Sequence, residues 1–299
     1  MMRDPERGYE AIKMRIPDRL ADLLDHECEI IRERVCMVLT VISGLSDGKC
    51  AIVRNKTALE NIEKLMFDPF ETIRHKNSLL IESISRSWFA ADYLVDAGFV
   101  KKILDVLPRE EELIQQAYLE GLTTIMYGEG KDEALSLGAF EIFVDLMETK
   151  SEEVAARAAD CLMIITSTYV GKDIAYDTAV LPKLAKLLHH HNVNLYRGAA
   201  SAIMFCTIKS RAKFRAKEIP NLVDRLVVLC NDWHNRGVQL YSMRALAHIC
   251  EHPDVRKEVK EKYLDKLEEI IVNSDEALIR HKSILIGIVK WHPWKLGEH

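Results

Sequence analysis

One spacing constrains this chain more than any other feature. Apolar residues that open a helical pattern stand at Ile31, Ile73, Ile114, Val154, Leu195, Val238 and Ile279, with gaps of 42, 41, 40, 41, 43 and 41 residues. From each, small or apolar residues return at offsets 4, 7, 8 and 11, one face of an α-helix. Val154 is followed by Ala158, Cys161, Leu162 and Ile165, and Leu195 by Ala199, Ala202, Ile203 and Cys206. Val238 is followed by Ser242, Ala245, Leu246 and Ile249, and Ile31 and Ile114 behave alike. Ile73 departs only at Asn77, whereas Ile279 fits least well and ends on Lys290, as terminal repeats often do. The string "IRHK", at 73–76 and again at 279–282, then reads as one phase of two repeats and not as a duplicated site.

A second helix precedes each anchor. It shows an apolar residue and two more, three and four positions later: Leu20/Leu23/Leu24, Ile62/Leu65/Met66, Phe143/Leu146/Met147, Leu184/Leu187/Leu188, Leu226/Leu229/Cys230 and Leu267/Ile270/Ile271. Polar turns such as "DHE", "DPFE" and "HHHNVN" join the two helices. Glu152, Glu153, Asp275 and Glu276 crowd the start of the anchor helix, where the positive end of the helix dipole favours them. No run alternates with the period a strand requires. A helical period of about 40–47 residues is the signature of an armadillo/HEAT-type α-α superhelix. Each helix pair has an apolar face it cannot bury alone, so neighbours stack into a continuous core. The expected organisation is all-α. An N-terminal segment over 1–17 holds a partial helix, and a single solenoid of six to seven repeats covers 18–299. Its repeats fall at about 18–57, 58–99, 100–140, 141–180, 181–220, 221–263 and 264–294.

Basic residues track the phase of the repeat. Arg32, Arg74 and Arg280 directly follow their anchors, Arg157 and Arg197 come within three positions, and Gln115 and Gln239 take the place in the two remaining repeats. A hydrogen-bond ladder between repeats explains such phasing; a ligand-facing basic stripe is the alternative. "SDGK", "GEGK" and "YVGK" end at Lys49, Lys131 and Lys172, also in step with the repeat. A phosphate loop needs GxxxxGK[ST] after a strand, so these read as loops leaving the anchor helix, with Gly as the helix stop. His189–His191 fall in a polar turn, and adjacent histidines on a helix diverge, so they read as a solvated helix end and not as a metal site.

The densest local charge is "KSRAKFRAK" over 209–217. Lys209, Arg211, Lys213, Arg215 and Lys217 either decorate an exposed helix or form a docking patch for an acidic partner. In "KWHPW" over 290–294, Pro293 stops the last helix. Trp291 and Trp294 either cap the final repeat or insert into a partner.

Composition removes whole classes of function. The formal net charge of -5 argues against a general nucleic-acid binder. No apolar run approaches the roughly 18–20 residues of a membrane helix, and "MMRDPERGYE" lacks the apolar core of a secretory signal. The seven cysteines form no CxxC pair and read as buried thiols in a reducing compartment. No catalytic residue, cofactor site or metal set emerges, so neither an enzyme nor a small-molecule substrate is expected.

The ends of the anchor helices, "TVIS", "IESI", "TTIM", "MIIT", "MFCT", "AHIC" and "GIVK", share no recurring Asn. That separates them from import adaptors and catenin-like peptide grooves. Three stretches carry a closer likeness: "AASAIMFCTIKSRAKF" at 199–214, "ALAHICEHPDVRKEV" at 245–259 and "AARAADCLMIITSTYVGKD" at 155–173. They resemble the radial spoke head 14 family (rhabdoid tumour deletion region proteins), armadillo-repeat proteins of the ciliary axoneme. The likeness runs from about Leu20 to the end, and the chain begins about one repeat later than the family pattern. The resemblance implies a structural part of the radial spoke in the axoneme of cilia and flagella, a cytoplasmic and cytoskeletal location, and radial-spoke or other axonemal proteins as partners. The rival expectation is a soluble adaptor, or a chaperone-cofactor-like protein acting on a folded client.

Overall fold

A computed structural model describes residues 5–292, and all regular structure among them is helical, with 20 α-helices and one 3-10 turn. No helix of the described residues is long and apolar enough to cross a membrane. The chain forms two compact units, Met1–Ile165 and Thr166–His299.

In the first unit the helices run in threes, two short and one long. They are α1 Pro5–Lys13, α2 Ile16–Leu23 and α3 Glu29–Ile42; α4 Ser46–Val53, α5 Lys56–Leu65 and α6 Glu71–Ser85; α7 Trp88–Asp96, α8 Phe99–Val106 and α9 Glu112–Tyr127; and α10 Gly130–Ser136, α11 Ala139–Leu146 and α12 Glu152–Thr166. The second unit continues with α13 Tyr169–Asp177, α14 Leu181–Leu187 and α15 Val193–Cys206, then α16 Ser210–Lys217, α17 Leu222–Cys230 and α18 Arg236–Ile249. It closes on α19 Pro253–Glu268, where the two short helices are one, and α20 Glu276–Lys290.

Every long helix is entered in the same way, and its third residue is the anchor. Ile73, Ile114, Val154, Leu195 and Val238 are buried, and so is most of the face below them, including Leu80, Leu122, Leu162, Ile203 and Leu246. Each such side chain contributes roughly 1.5–3 kcal/mol on leaving water. Long helices pack on long helices: α3 on α6, α6 on α9, α15 on α18 and α18 on α20. At Asn77 the core accepts a polar residue because its Nδ2 donates to the Ile62 carbonyl at 2.9 Å.

Three expectations need correction. First, the anchor of the last repeat is Leu278. It is the third residue of α20, and Leu278, Leu285 and Val289 are buried while Ile279 is 46% exposed. The second "IRHK" therefore lies one residue out of phase with the first. Second, in α2 the core face is Pro17 and Ala21, followed by Leu24, whereas Leu23 points outward. Ile271 is likewise exposed. Third, "SDGK", "GEGK" and "YVGK" are not loops: they lie in or open the short helices α4, α10 and α13. Glycine is there for close approach, not termination. A Cβ on Gly48 would stand 2.1 Å from the Ile42 carbonyl oxygen, and one on Gly130 would stand 2.7 Å from Ile125 Cγ2.

The joint between the two short helices also repeats. In five repeats one residue there is left-handed: Arg15, Gly98, Gly138, Ala179 and Asn221, at φ 55°, 73°, 77°, 52° and 60°. Glycine adopts this conformation without penalty, and the others at a cost.

Candidate functional site

The phase-tracking residues build a ladder along the turns that lead into the long helices. Arg32 Nε donates to Asp68 Oδ2 at 2.8 Å, and its Nη1 donates to the carbonyls of His26 and Glu27. Arg74 repeats this arrangement one unit on, with Nε donating to Glu110 Oε1 at 3.0 Å and Nη1 to the Asp68 carbonyl at 3.1 Å. Each arginine thus ties its own turn to the acid of the next. Gln115 Nε2 donates to the Leu107 carbonyl, and Gln239 Nε2 donates to those of Cys230 and Ile271. At the same station Tyr196 Oη donates to Asp232 Oδ2 at 3.2 Å.

The remaining members of the series sit elsewhere. Arg157 pairs with Glu120 between α12 and α9. Arg197 lies over Gly237, where a Cβ would stand 3.2 Å from its Cδ. Arg280 is exposed, two residues after the true anchor Leu278.

The basic stretch over 209–217 is α16 and its N-cap, and its charge is engaged within the second unit. Lys209 and Arg211 pair with Asp173, and Arg215 donates to the Tyr176 carbonyl. On the other side, Lys213 pairs with Glu251 and Lys217 with Asp254. The Tyr176 ring carries both Arg211 and Arg215 guanidinium groups, at 4.2 and 4.0 Å from its centroid. Lys213, expected on an exposed helix or patch, is buried. The stretch therefore joins α13 to the α18–α19 corner through the short helix between them. Hydrogen bonds from Lys209, Lys217 and Arg236 hold the carboxyls of Asp173, Asp254 and Asp275 below their ordinary values.

His189–His191 occupy the turn after α14. The His190 and His191 rings stack with centroids 4.4 Å apart, and His190 Nδ1 accepts from the Asn192 amide. Trp291 caps α20, is 54% exposed and lies under the Arg256 guanidinium at 4.6 Å. Trp294 lies outside the described residues. Burial pushes the thiols of Cys36, Cys206 and Cys250 up to about 12 and raises those of Cys161 and Cys230 as well.

The first unit carries a groove of about 300 Å³ along α6, α9 and α12, lined by residues that include His75, Leu79, Glu82, Leu113 and Arg157. Its charges are largely matched in place, Arg86 on Glu82 at 2.6 Å and Arg157 on Glu120. Burial lowers the His75 imidazole, so it favours the neutral form there. A groove of this kind can hold a peptide or a protein edge through apolar contact and the amide of Gln116, without a strong charge preference.

No family model matches the chain. Solved structures do. An engineered protein superposes with a TM-score of 0.82 at 21% identity, over 93% of this chain and 69% of that one. The fold is an armadillo-type α-α solenoid. A designed armadillo repeat protein matches with a TM-score of 0.71 at 19% identity, over 78% of this chain and 99% of its own. Another, solved in complex with the peptide (KR)4, matches at 0.69 with 20% identity over 78% and 98%. These likenesses concern the fold. None of the acids that complete the ladder or the α16 network was matched to its base from sequence. The signal was there: Arg32 and Asp68, Arg74 and Glu110, Lys209 and Asp173, and Tyr196 and Asp232 all stand 36 residues apart.

Proposed function

We propose that this chain is a non-catalytic protein-binding scaffold and, from the family resemblance, a structural component of the radial spoke in the axoneme of cilia and flagella. The observation that carries the scaffold reading is the open groove along α6, α9 and α12, held by buried pairs and packed long helices. A designed relative of the fold has been solved with a peptide bound, which supports peptide or protein ligands for such a groove. Rigidity is what a scaffold contributes: preorganised side chains spend little binding energy on ordering themselves. Trp291 is a candidate anchor at the end of the array, since an exposed Trp beside an arginine has the makings of an interface hot spot. The α16 cations Lys209, Arg211, Lys213, Arg215 and Lys217 act in this reading mainly as a clamp between repeats, with partner attraction secondary.

Salt and detergent extraction of demembranated cilia or sperm tests the axonemal reading. A spoke scaffold stays with the axoneme when membrane and matrix are removed. Recovery entirely in the detergent-soluble fraction would reject it in favour of the adaptor.

A further inference from the structure

The second unit spends its arginines carefully. Arg211 and Arg215 are engaged with Asp173 and Tyr176, Arg225 donates to the Leu188 carbonyl, Arg236 pairs with Asp275, and Arg256 covers Trp291. Arg197 also has a partner. Among the described residues of this unit, Arg244 and Arg280 are the arginines that make no hydrogen bond, ion pair or ring contact. They stand on α18 and α20, which pack side by side. Both act on His281, whose imidazole is held below its ordinary value by burial first and then by Arg244, Arg280 and His248. The packing of α18 on α20 brings four cationic or protonatable groups, Arg244, His248, Arg280 and His281, into one neighbourhood. His248 is the most enclosed of them: its Nδ1 meets the Met204 carbonyl at 2.9 Å, and Glu251, Lys213 and Arg244 face it.

Like charges repel, and a unit that pairs its other arginines so fully gains nothing from leaving these two without an ion pair; Glu251, the acid that faces His248, is engaged by Lys213. An external carboxylate would remove the cost, because the planar guanidinium grips it with two parallel bonds. Apolar surface adjoins the charge. Ile284, one turn after Arg280 on the same face, is 41% exposed, and beside it a Cβ on Gly287 would meet nothing within 4 Å.

We propose that Arg244, Arg280 and His281, with Ile284 and Gly287 as an apolar floor, form a docking surface for an acidic segment of a partner protein. The surface rests on the scaffold reading and gives it a partner chemistry. Binding tightens as pH falls and His281 takes up a proton, since the added charge faces the ligand's carboxylates.

The test is fluorescence anisotropy of labelled octaglutamate with the full chain, and octaglutamine as the neutral control. Octaglutamate should bind and octaglutamine should not. The R244E/R280E variant should lose at least about tenfold in affinity. R34E, at an arginine of the first unit that is exposed as Arg280 is, should lose nothing. R280E alone changes a residue outside the core, so it keeps the fold and should still weaken binding several-fold. Wild-type affinity in the double variant, equal binding of octaglutamine, or equal competition by an RNA oligomer of matched charge would each overturn the proposal. Failure of the unaltered chain to bind octaglutamate, with retention on axonemes, would remove this inference and leave the scaffold reading standing. The opposite result would separate them the other way.

Discussion

The two units hold their repeats in register by different chemistry. In the first, Arg32–Asp68 and Arg74–Glu110 are charge pairs sunk into the turns, with Asp68 and Glu110 side chains only 5% and 8% exposed. In the second, the same station is neutral on the donor side, Tyr196 on Asp232 and Gln239 on two carbonyls. Charge has moved largely to the short helix α16, where Arg211 and Lys217 pair in partly open surroundings, and to the start of α18, where Arg236 pairs with Asp275. A register device can thus be concentrated or spread. A desolvated pair loses heavily when one partner is removed, because the survivor stays buried and unmatched. A row of exposed pairs loses little at each and yields to salt.

The sharpest way to break this contrast is Asp68→Ala. It strands Arg32 and should cost about 3–5 kcal/mol. Asp232→Ala, at the equivalent station, removes the acceptor of Tyr196 Oη and of Asn235 Nδ2 and should cost about 1–2 kcal/mol. Urea unfolding gives the totals, and amide exchange shows whether the loss stays within its own unit. Equal losses would erase the distinction.

A smaller effect separates the units at their joints. Gly48→Ala pushes a methyl into the Ile42 carbonyl and should cost about 1–3 kcal/mol. Ala179→Gly relieves a left-handed alanine in the second unit and should gain about 1 kcal/mol. Thermal melts of the two variants should move in opposite directions.

Acid gives the mildest test. Asp173, Asp254 and Asp275, all in the second unit, have lowered carboxyl values. Their contribution is complete above the ordinary Asp value of about 3.9 and fades as pH falls through their lower folded values. Exchange protection along α13, α16 and α19 should therefore drop below about pH 4, before the buried core of α15 and α18. Protection that stays flat to pH 2 would show these exposed pairs to be idle.

How much of this was legible in the sequence follows from what the physics repeats. The anchors from Ile31 to Val238 were readable because four offsets on one helix face must be small or apolar in every repeat. The last anchor was misread because the familiar string "IRHK" outweighed burial, and burial favours Leu278. The third helix of each repeat was missed for a different reason. Seven to nine residues, as in α4, α10 and α13, span barely two turns, too few to establish a period, and a glycine needed for contact looks like a glycine needed for stopping. The internal pairing of the basic stretch over 209–217 was not legible because its acids, Asp173, Glu251 and Asp254, are distant in sequence and adjacent in space. Arg244 and Arg280 drew no notice as a pair, since only the packing of α18 on α20 brings them to one surface.

The enclosed cysteines have a practical consequence. A shielded, protonated sulfur ignores iodoacetamide until its surroundings part. Cys36 and Cys161 belong to one half of the chain, and Cys206, Cys230 and Cys250 to the other. The molecule therefore carries its own set of clocks, and the order in which those five sulfurs become alkylated would time the unzipping of the array, turn by turn, with no probe engineered in.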